Sequence, residues 1–335
     1  MIYHVGAHGG GNAGDLVIMH AMNKLFENYE LSPIVDWHIT TDATIERYNK
    51  SQGLLIGGGG LLLCDTKPND NSGWRWNITI DQIKQIKVPI VVFGIGFNRF
   101  RGQEDYKPVF REHISQLVDQ SKLFTMRERF VLDSYVKHPK KVLFQPDPAA
   151  LLNKLFTVEA EKKDELLLFA PAYDRPEMRY KNSELVEVGR LLKRLSKKYD
   201  VRIVLHISKD KKVLECLPGF KTIDLIGKPP EMIMETYKSA SCVIGMRLHS
   251  CVIPFGLGTK FIPLISHDKL YEFLKVIGFP SFGVEITDAD FVKKLEVKIE
   301  EEFDYEGIEL AQDYLYQVTQ ANMQKIRKIF EVTNV

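Results

Sequence analysis

The sequence predicts an α/β protein of two Rossmann-like domains facing a central cleft, with a C-terminal helix packing back across both. Three observations carry that reading. Short apolar runs alternate with longer amphipathic stretches along most of the chain, the pattern of parallel sheets covered by helices. The alternation falters around Pro146, Pro148 and the polar stretch 154–163, which splits the 335 residues into two lengths of domain size. Residues 300–335 are charged and helical, with Leu310, Tyr314, Val318, Met323 and Ile326 as an intermittent apolar face.

In order, residues 2–5 read as a strand that ends in the glycine loop 6–14. Leu16, Met19, Met22, Leu25 and Phe26 follow at helical spacing. Residues 33–39, 53–56, 88–93, 122–126 and 142–144 read as further strands. The helices between them span 43–50, 79–86, 107–120 and 128–136. A second series has strands at 165–170, 201–207, 221–225, 242–245 and 260–265. Its helices are about 183–198, 209–216, 230–239, 248–256 and 268–277. The implied divisions are 1–155, 156–299 and 300–335. In open α/β sheets ligands bind outside the carboxyl ends of the strands, so the loops there are where chemistry is expected.

Composition removes several classes. With 45 basic and 44 acidic side chains the formal charge is +1, which gives no global footprint for nucleic acid or an anionic membrane. Cys64, Cys216, Cys242 and Cys251 form no CxxC, as expected of unpaired thiols in a reducing compartment. No basic region followed by an apolar one opens the chain. The apolar run 54–63 is glycine-interrupted and far shorter than the ~20 residues of a membrane helix. A cytoplasmic protein with no transmembrane segment is expected.

Several strand ends carry candidate chemistry. Gly9-Gly10-Gly11-Asn12-Ala13-Gly14-Asp15 opens a helix, whose free N–H groups and dipole suit phosphate or carboxylate. The plainer reading is a turn capped by Asn12 or Asp15. Four glycines, Gly57 to Gly60, follow the third strand. Each weakens the folded state by roughly 0.5–1 kcal/mol, which favours a close ligand over a simple turn. Gly94-Ile95-Gly96 forms a third glycine loop. Arg127 stands at a strand end as a fork for carboxylate or phosphate, or in an ion pair with Glu128 or Asp133. Asp147 reads equally as a hydroxyl binder or a turn cap. Gly245-Met246-Arg247-Leu248-His249 carries most weight. It sets a permanent cation two residues from a group that titrates near neutrality, at a helix start. No metal motif is present.

Assembled, these segments resemble the polysaccharide pyruvyl transferase family. The resemblance rests on Gly11-Asn12-Ala13-Gly14-Asp15, Gly57–Gly60, Gly94-Ile95-Gly96, Arg127, Asp147-Pro148-Ala149 and Arg247-Leu248-His249. Gly256-Leu257-Gly258-Thr259-Lys260 and Ile265-Ser266-His267-Asp268-Lys269 close it; where the family often has Tyr before its last lysine, this chain has His267-Asp268. The resemblance implies a GT-B-type fold and transfer of a pyruvyl group from phosphoenolpyruvate to a saccharide, leaving a pyruvate ketal and phosphate. It implies His249 and Arg247 as catalytic residues, and Arg127, Arg247, Leu248 and Lys269 as donor-binding residues. Gly11, Asn12, Asp15, Gly58 and Gly59 fall to the acceptor. Phosphoenolpyruvate enters as substrate, no dissociable metal or cofactor is implied, and membrane contact is expected only if the acceptor is lipid-linked.

The chief alternative is a GT-B-type glycosyltransferase with a nucleotide-sugar donor, which would need base and ribose contacts; the stretch 227–231 supplies nothing distinctive. A carbohydrate-binding protein on the same fold would bind no donor. Trp74, Trp76, Phe97, Phe100 and Tyr173 fall near cleft loops, to stack on sugars or simply to pack.

Overall fold

Apolar strands need both faces covered, and the first half of the chain does this with one parallel sheet. The computed structural model describes residues 1–35, 37–65, 69–100, 102–128, 131–173 and 180–331. Strands β1 (Ile2–Gly6), β2 (Leu31–Val35), β3 (Gly53–Leu63), β4 (Ile90–Asn98), β5 (Leu123–Met126) and β6 (Val142–Phe144) lie in the order β2-β1-β3-β4-β5-β6. Helices α1 (Ala13–Leu25), α2 (Asp42–Asn49), α3 (Ile80–Gln85) and α4 (Pro108–Gln120) flank them, and the short α5 (Leu152–Leu155) follows. The second sheet holds β7 (Lys163–Ala170), β8 (Asp200–Leu205), β9 (Lys221–Asp224), β10 (Ala240–Gly245), β11 (Phe261–Ile265) and β12 (Val284–Glu285), in the order β12-β11-β10-β7-β8-β9. Around it stand α6 (Asn182–Leu195), α7 (Pro230–Lys238), α8 (His249–Leu257), α9 (Asp268–Val276) and α10 (Phe291–Glu300). The chain returns through the long α11 (Tyr305–Glu331). Two Rossmann-like domains result, as expected.

Local chemistry sets many boundaries. Asn12 caps α1 by accepting from Gly14 N at 3.0 Å. Thr79 and Gln82 close a reciprocal box on α3. Gly258, at φ +67°, ends α8 in the left-handed conformation.

Four expectations are corrected. Gly57–Gly60 is not a loop: β3 continues to Leu63, and Gly57 and Gly59 pair with Phe93 and Ile95 of β4. Glycine is required because the strands approach too closely for a side chain; a Cβ at Gly57 would fall 2.2 Å from the Phe93 carbonyl oxygen. Gly57 and Gly58 take φ of 128° and 70°, and the register slips between Gly59 and Leu62, a bulged strand. Gly94-Ile95-Gly96 lies inside β4 in the same way. The predicted helix 128–136 is a turn over the described residues 131–135, where Tyr135 N and Val136 N both return to Leu132 O; residues 129 and 130 lie outside the described residues. The predicted helix 209–216 is 3-10 over Ser208–Glu215, tightened because Asp210 turns inward and accepts from His206 N and Ile207 N.

The apolar face of α11 is also rotated from the expected one. Leu310 is 64% exposed, and Tyr314 is exposed too, whereas Gln312, Thr319 and Asn322 are buried. Those polar side chains point inward because they satisfy groups of both domains. Gln312 Nε2 donates to Phe255 O, Gln145 Nε2 donates to Thr319 Oγ1 at 2.9 Å, and Asn322 Nδ2 donates to Phe144 O at 2.9 Å. The helix does pack back across the domains.

Each sheet has an outer core, and a third cluster joins the inner faces. It runs from Val17 and Met22 of α1 through residues 149–152 to Phe255 of α8 and Leu315 and Phe330 of α11. Trp74 and Trp76 are fully buried, so they pack rather than stack on a ligand. Trp74 Nε1 donates to His113 Nδ1 at 3.0 Å, and the opposite ring nitrogen donates to Ile78 O at 3.1 Å. That pairing is complete with a neutral ring. Burial lowers His113 to about 4 and His4 to about 3. Below pH 6.5 the unfolded chain takes up protons that these folded histidines refuse, so stability falls with pH. Each contributes up to about 1.4 kcal/mol per pH unit down to its folded pKa. Urea midpoints measured from pH 7 to pH 5 should decline; His113→Gln, which keeps an amide donor and acceptor, should flatten the decline.

Candidate functional site

The carboxyl ends of both sheets converge on a cavity of about 220 Å³. From the first domain its wall takes Asn12 and Asp15 at the start of α1, Gly60 of β3, Asn98 at the end of β4, and Arg127 after β5. From the second it takes His206 after β8, Arg247, Leu248 and His249 after β10, and His267 and Lys269 after β11. Arg75 and Phe100 complete the polar and aromatic lining.

Arg127 is buried, and its Nη1 donates to Asp147 Oδ2, with Glu128 Oε1 3.6 Å from its Nη2. Burial disfavours its charge, but Asp147 and Glu128 hold the guanidinium charged, with its pKa raised. Its Nε is buried without a protein partner. Asp147 serves two neighbours and a cap at once. Its Oδ2 also lies 3.4 Å from His249 Nε2, and its Oδ1 accepts from Ala149 N at 2.9 Å. Burial opposes its charge, yet Arg127 and the His249 hydrogen bond hold its carboxyl well below the usual range. Of the two sequence readings of Asp147, the turn cap is observed, and the same carboxylate also holds Arg127 and His249.

Arg247 is gripped by the buried Asp210, its Nε donating to Oδ2 at 2.9 Å and its Nη2 to Oδ1. The main chain of Arg247 donates to Ser250 Oγ at 3.2 Å, so the residue is fixed at both ends where α8 begins. Asp15 faces these cations; burial raises its carboxyl, against the pull of His249, Arg75 and Arg127. Two backbone bonds tie the domains beside the cavity: Ala13 N donates to His206 O at 3.2 Å, and Gly227 N donates to Gly11 O at 2.9 Å.

Glycines make room for these side chains. A Cβ on Gly14 would fall 2.3–2.7 Å from His249 Nδ1, Cγ and Cβ, and one on Gly96 would fall 1.8 Å from Arg127 Nη2. Much of the glycine richness therefore serves as a floor beneath the polar side chains.

Of the sequence-predicted residues, Asn12, Asp15, Arg127, Arg247, Leu248, His249 and Lys269 line the cavity together. Gly11, Gly58 and Gly59 stand off it. Gly11 bonds across the domains, and Gly58 packs on Met22 beneath the sheet, while Gly60 is the glycine that reaches the wall. Sequence reading missed Asn98, Arg75, Asp210, His206 and His267 as parts of the site. His206 and His267 carried a usable signal, since each lies within two residues of the end of a parallel strand; Arg75 and Asp210 carried none. A second cavity of about 580 Å³ adjoins the first through Phe100 and Lys269, whose Nζ sits 4.4 Å from the Phe100 ring centroid. Phe97, Gln103 and Glu272 also line it, while Tyr173 bonds through its hydroxyl to Asn182 at 3.0 Å.

Among the described residues, no group of three or more His, Cys, Asp or Glu is arranged to hold a metal ion, and no helix is long and apolar enough to cross a membrane. Among the described residues, Cys216, Cys242 and Cys251 are in no disulfide.

The chain matches the model of the polysaccharide pyruvyl transferase family over residues 12–268. No curated protein matches it in sequence. Its fold is similar to that of a putative UDP-N-acetylglucosamine 2-epimerase from Listeria monocytogenes, at 11% identity and TM-score 0.60, covering 99% of this chain and 97% of that one. The UDP-N-acetylglucosamine 2-epimerase of Rickettsia bellii is similar at 12% identity and TM-score 0.57, with 99% and 97% covered. S. aureus MnaA in its UDP co-structure follows at 14% and 0.56, with 92% and 90% covered. At such identities the likeness is one of fold, GT-B-type.

Proposed function

Because the chain belongs to the polysaccharide pyruvyl transferase family and is a transferase, we propose that it moves the pyruvyl group of phosphoenolpyruvate onto two hydroxyls of a saccharide, in the cytoplasm, without a metal or cofactor. The observation that carries this reading is the small cavity in which Arg127, Arg247, Lys269 and His249 converge at the start of α8. At about 220 Å³ the part of the cleft that holds these charges is of a size for a three-carbon phosphorylated acid.

Arg247, held rigid by Asp210, faces the phosphate; Arg127 faces the carboxylate. His249, oriented by Asp147, gives a proton to the methylene carbon, leaving positive charge at the central carbon. A sugar hydroxyl adds there and yields its proton to the now neutral imidazole. The carbon–oxygen bond to phosphate breaks as His249 passes that proton to the departing phosphate, and the second hydroxyl closes the ketal and gives its own proton to the imidazole, which restores the starting state. Asp15 and Asn12 stand where hydroxyls approach, and the adjoining 580 Å³ cavity gives the rest of a saccharide room.

The test is phosphate release from phosphoenolpyruvate across a saccharide panel, with NMR of the ketal methyl and calorimetry against UDP-sugars. Phosphate release coupled to a new ketal methyl, unchanged by chelator, is expected. Binding of a UDP-sugar with none of phosphoenolpyruvate would establish the glycosyltransferase alternative instead.

A further inference from the structure

Several polar groups in the cavity wall are left unused by the chemistry above, His206 among them. His206 is 1% exposed and lines the cavity with Arg247 and His249. Its main chain is engaged, donating to Asp210 Oδ2 at 3.1 Å and accepting from Ala13 N. Its ring is only half engaged. Nε2 bonds to the Tyr237 hydroxyl, and Nδ1 is buried with no partner. A buried polar nitrogen left unmet is unfavourable, so its retention calls for a ligand that meets it.

Tyr237 decides what that nitrogen offers. It is 0% exposed, and its hydroxyl meets His206 Nε2. If the phenol donates to Nε2, both groups are satisfied and the ring proton sits on Nδ1. The reverse arrangement strands the phenolic proton in the core. Burial, with Arg247 and His249 nearby, keeps the imidazole neutral, its pKa well below the ordinary value. Burial likewise pushes the Tyr237 phenol well above its usual range, so it keeps its proton to give.

We infer that His206 presents Nδ1–H as a neutral hydrogen-bond donor to the phosphate group that Arg247 faces, and that Tyr237 is a positioning residue that fixes this tautomer. The inference rests on the donor reading above. It adds a contact that supplies direction without a further charge: another fixed cation would hold the departing phosphate as firmly as the arriving substrate, whereas a neutral donor shapes the subsite.

The experiment joins nitrogen-15 NMR of the histidines with calorimetry of phosphoenolpyruvate and of inorganic phosphate. In the wild type one neutral histidine should be protonated at Nδ1 and bare at Nε2, shift on adding phosphoenolpyruvate, and vanish in His206→Leu. His206→Leu should bind both probes about 10- to 100-fold more weakly, the range of a hydrogen bond to a charged group. His206→Asn, which keeps an N–H donor, should recover most of that loss. Tyr237→Phe should weaken both probes and mix the tautomers, while leaving KM for the saccharide unchanged. Should His206→Leu not fold, Tyr237→Phe and the wild-type spectrum decide the matter. A bare Nδ1, or wild-type affinity in a folded His206→Leu, overturns the inference alone. Loss of phosphoenolpyruvate binding with phosphate binding intact moves the contact to the carboxylate and overturns the phosphate assignment. A wild type that binds no phosphoenolpyruvate overturns the donor reading, and this inference with it.

Discussion

His249→Gln is expected to lower kcat for ketal formation by about 10³-fold, within the 10²–10⁴ range of a removed general acid or base, while phosphoenolpyruvate still binds within a few-fold of wild type. Glutamine keeps a polar, similarly sized group beside Asp147 but has no proton to give at neutral pH. The charges that face the donor, Arg127 and Arg247, have their own carboxylate partners in Asp147 and Asp210 and do not depend on the imidazole for their position. Arg247→Ala should fail differently: binding weakens first, and the buried Asp210 loses its counter-charge, so stability falls as well. The split between the two variants is what matters. Were His249→Gln to turn over at even a tenth of the wild-type rate, proton delivery would have to be sought elsewhere, with Asp15 the next group in the cavity.

Gly14→Ala is expected to lower kcat by about 100-fold, the scale of a displacement near 1 Å at a reacting group, although the substituted residue never touches the chemistry. At an ordinary helical position, alanine in place of glycine is worth roughly 0.5–1 kcal/mol in favour of the folded state. Gly14 is the second residue of α1, where that gain would apply. Here the new methyl falls 2.3 Å from His249 Nδ1 and 2.5 Å from its Cγ. Either the imidazole leaves Asp147 or α1 retreats from the second domain, and both displace His249 relative to the rest of the cavity wall. Overpacking of this kind typically destabilises by 1–3 kcal/mol, so melting temperature and kcat should fall together. Wild-type kcat in Gly14→Ala would mean that the close approach of His249 to α1 is not required. Gly96→Ala, which crowds Arg127 instead, should raise KM for phosphoenolpyruvate and thereby separates displacement of the arginine from displacement of the histidine.

Much of this was legible in the sequence, because periodicity reports burial and strand ends report the cleft. The series of strands and the Arg247–His249 segment were read directly, and the plainer reading of the first glycine loop named Asn12, beside Asp15, as a helix cap. What was not legible depended on partners remote in the chain. Gly57 to Gly60 looked like a loop because a glycine run weakens a strand considered alone; its reason lies in β4, where Phe93 O leaves no space for a Cβ. The face of α11 was misjudged because Gln312, Thr319 and Asn322 count as polar in any periodic reading, yet each meets a group from another part of the chain. Asp210 resembled one more charge in the run Lys209-Asp210-Lys211-Lys212, and only its contact with Arg247 sets it apart. The second carboxylate of the site, Asp147, was noticed but left undecided, since nothing local reveals a partner 102 residues away.

The apolar cluster linking α1, residues 149–152, α8 and α11 has a consequence for how the molecule comes apart. Neither half owns that layer, so neither can melt while the other keeps a complete interior. Two architectural domains should therefore register as one calorimetric unit, with equal van't Hoff and calorimetric enthalpies. A ligand confined to the cavity would then raise the unfolding temperature of the whole chain, and a lesion in the layer would silence a reaction centre it never contacts.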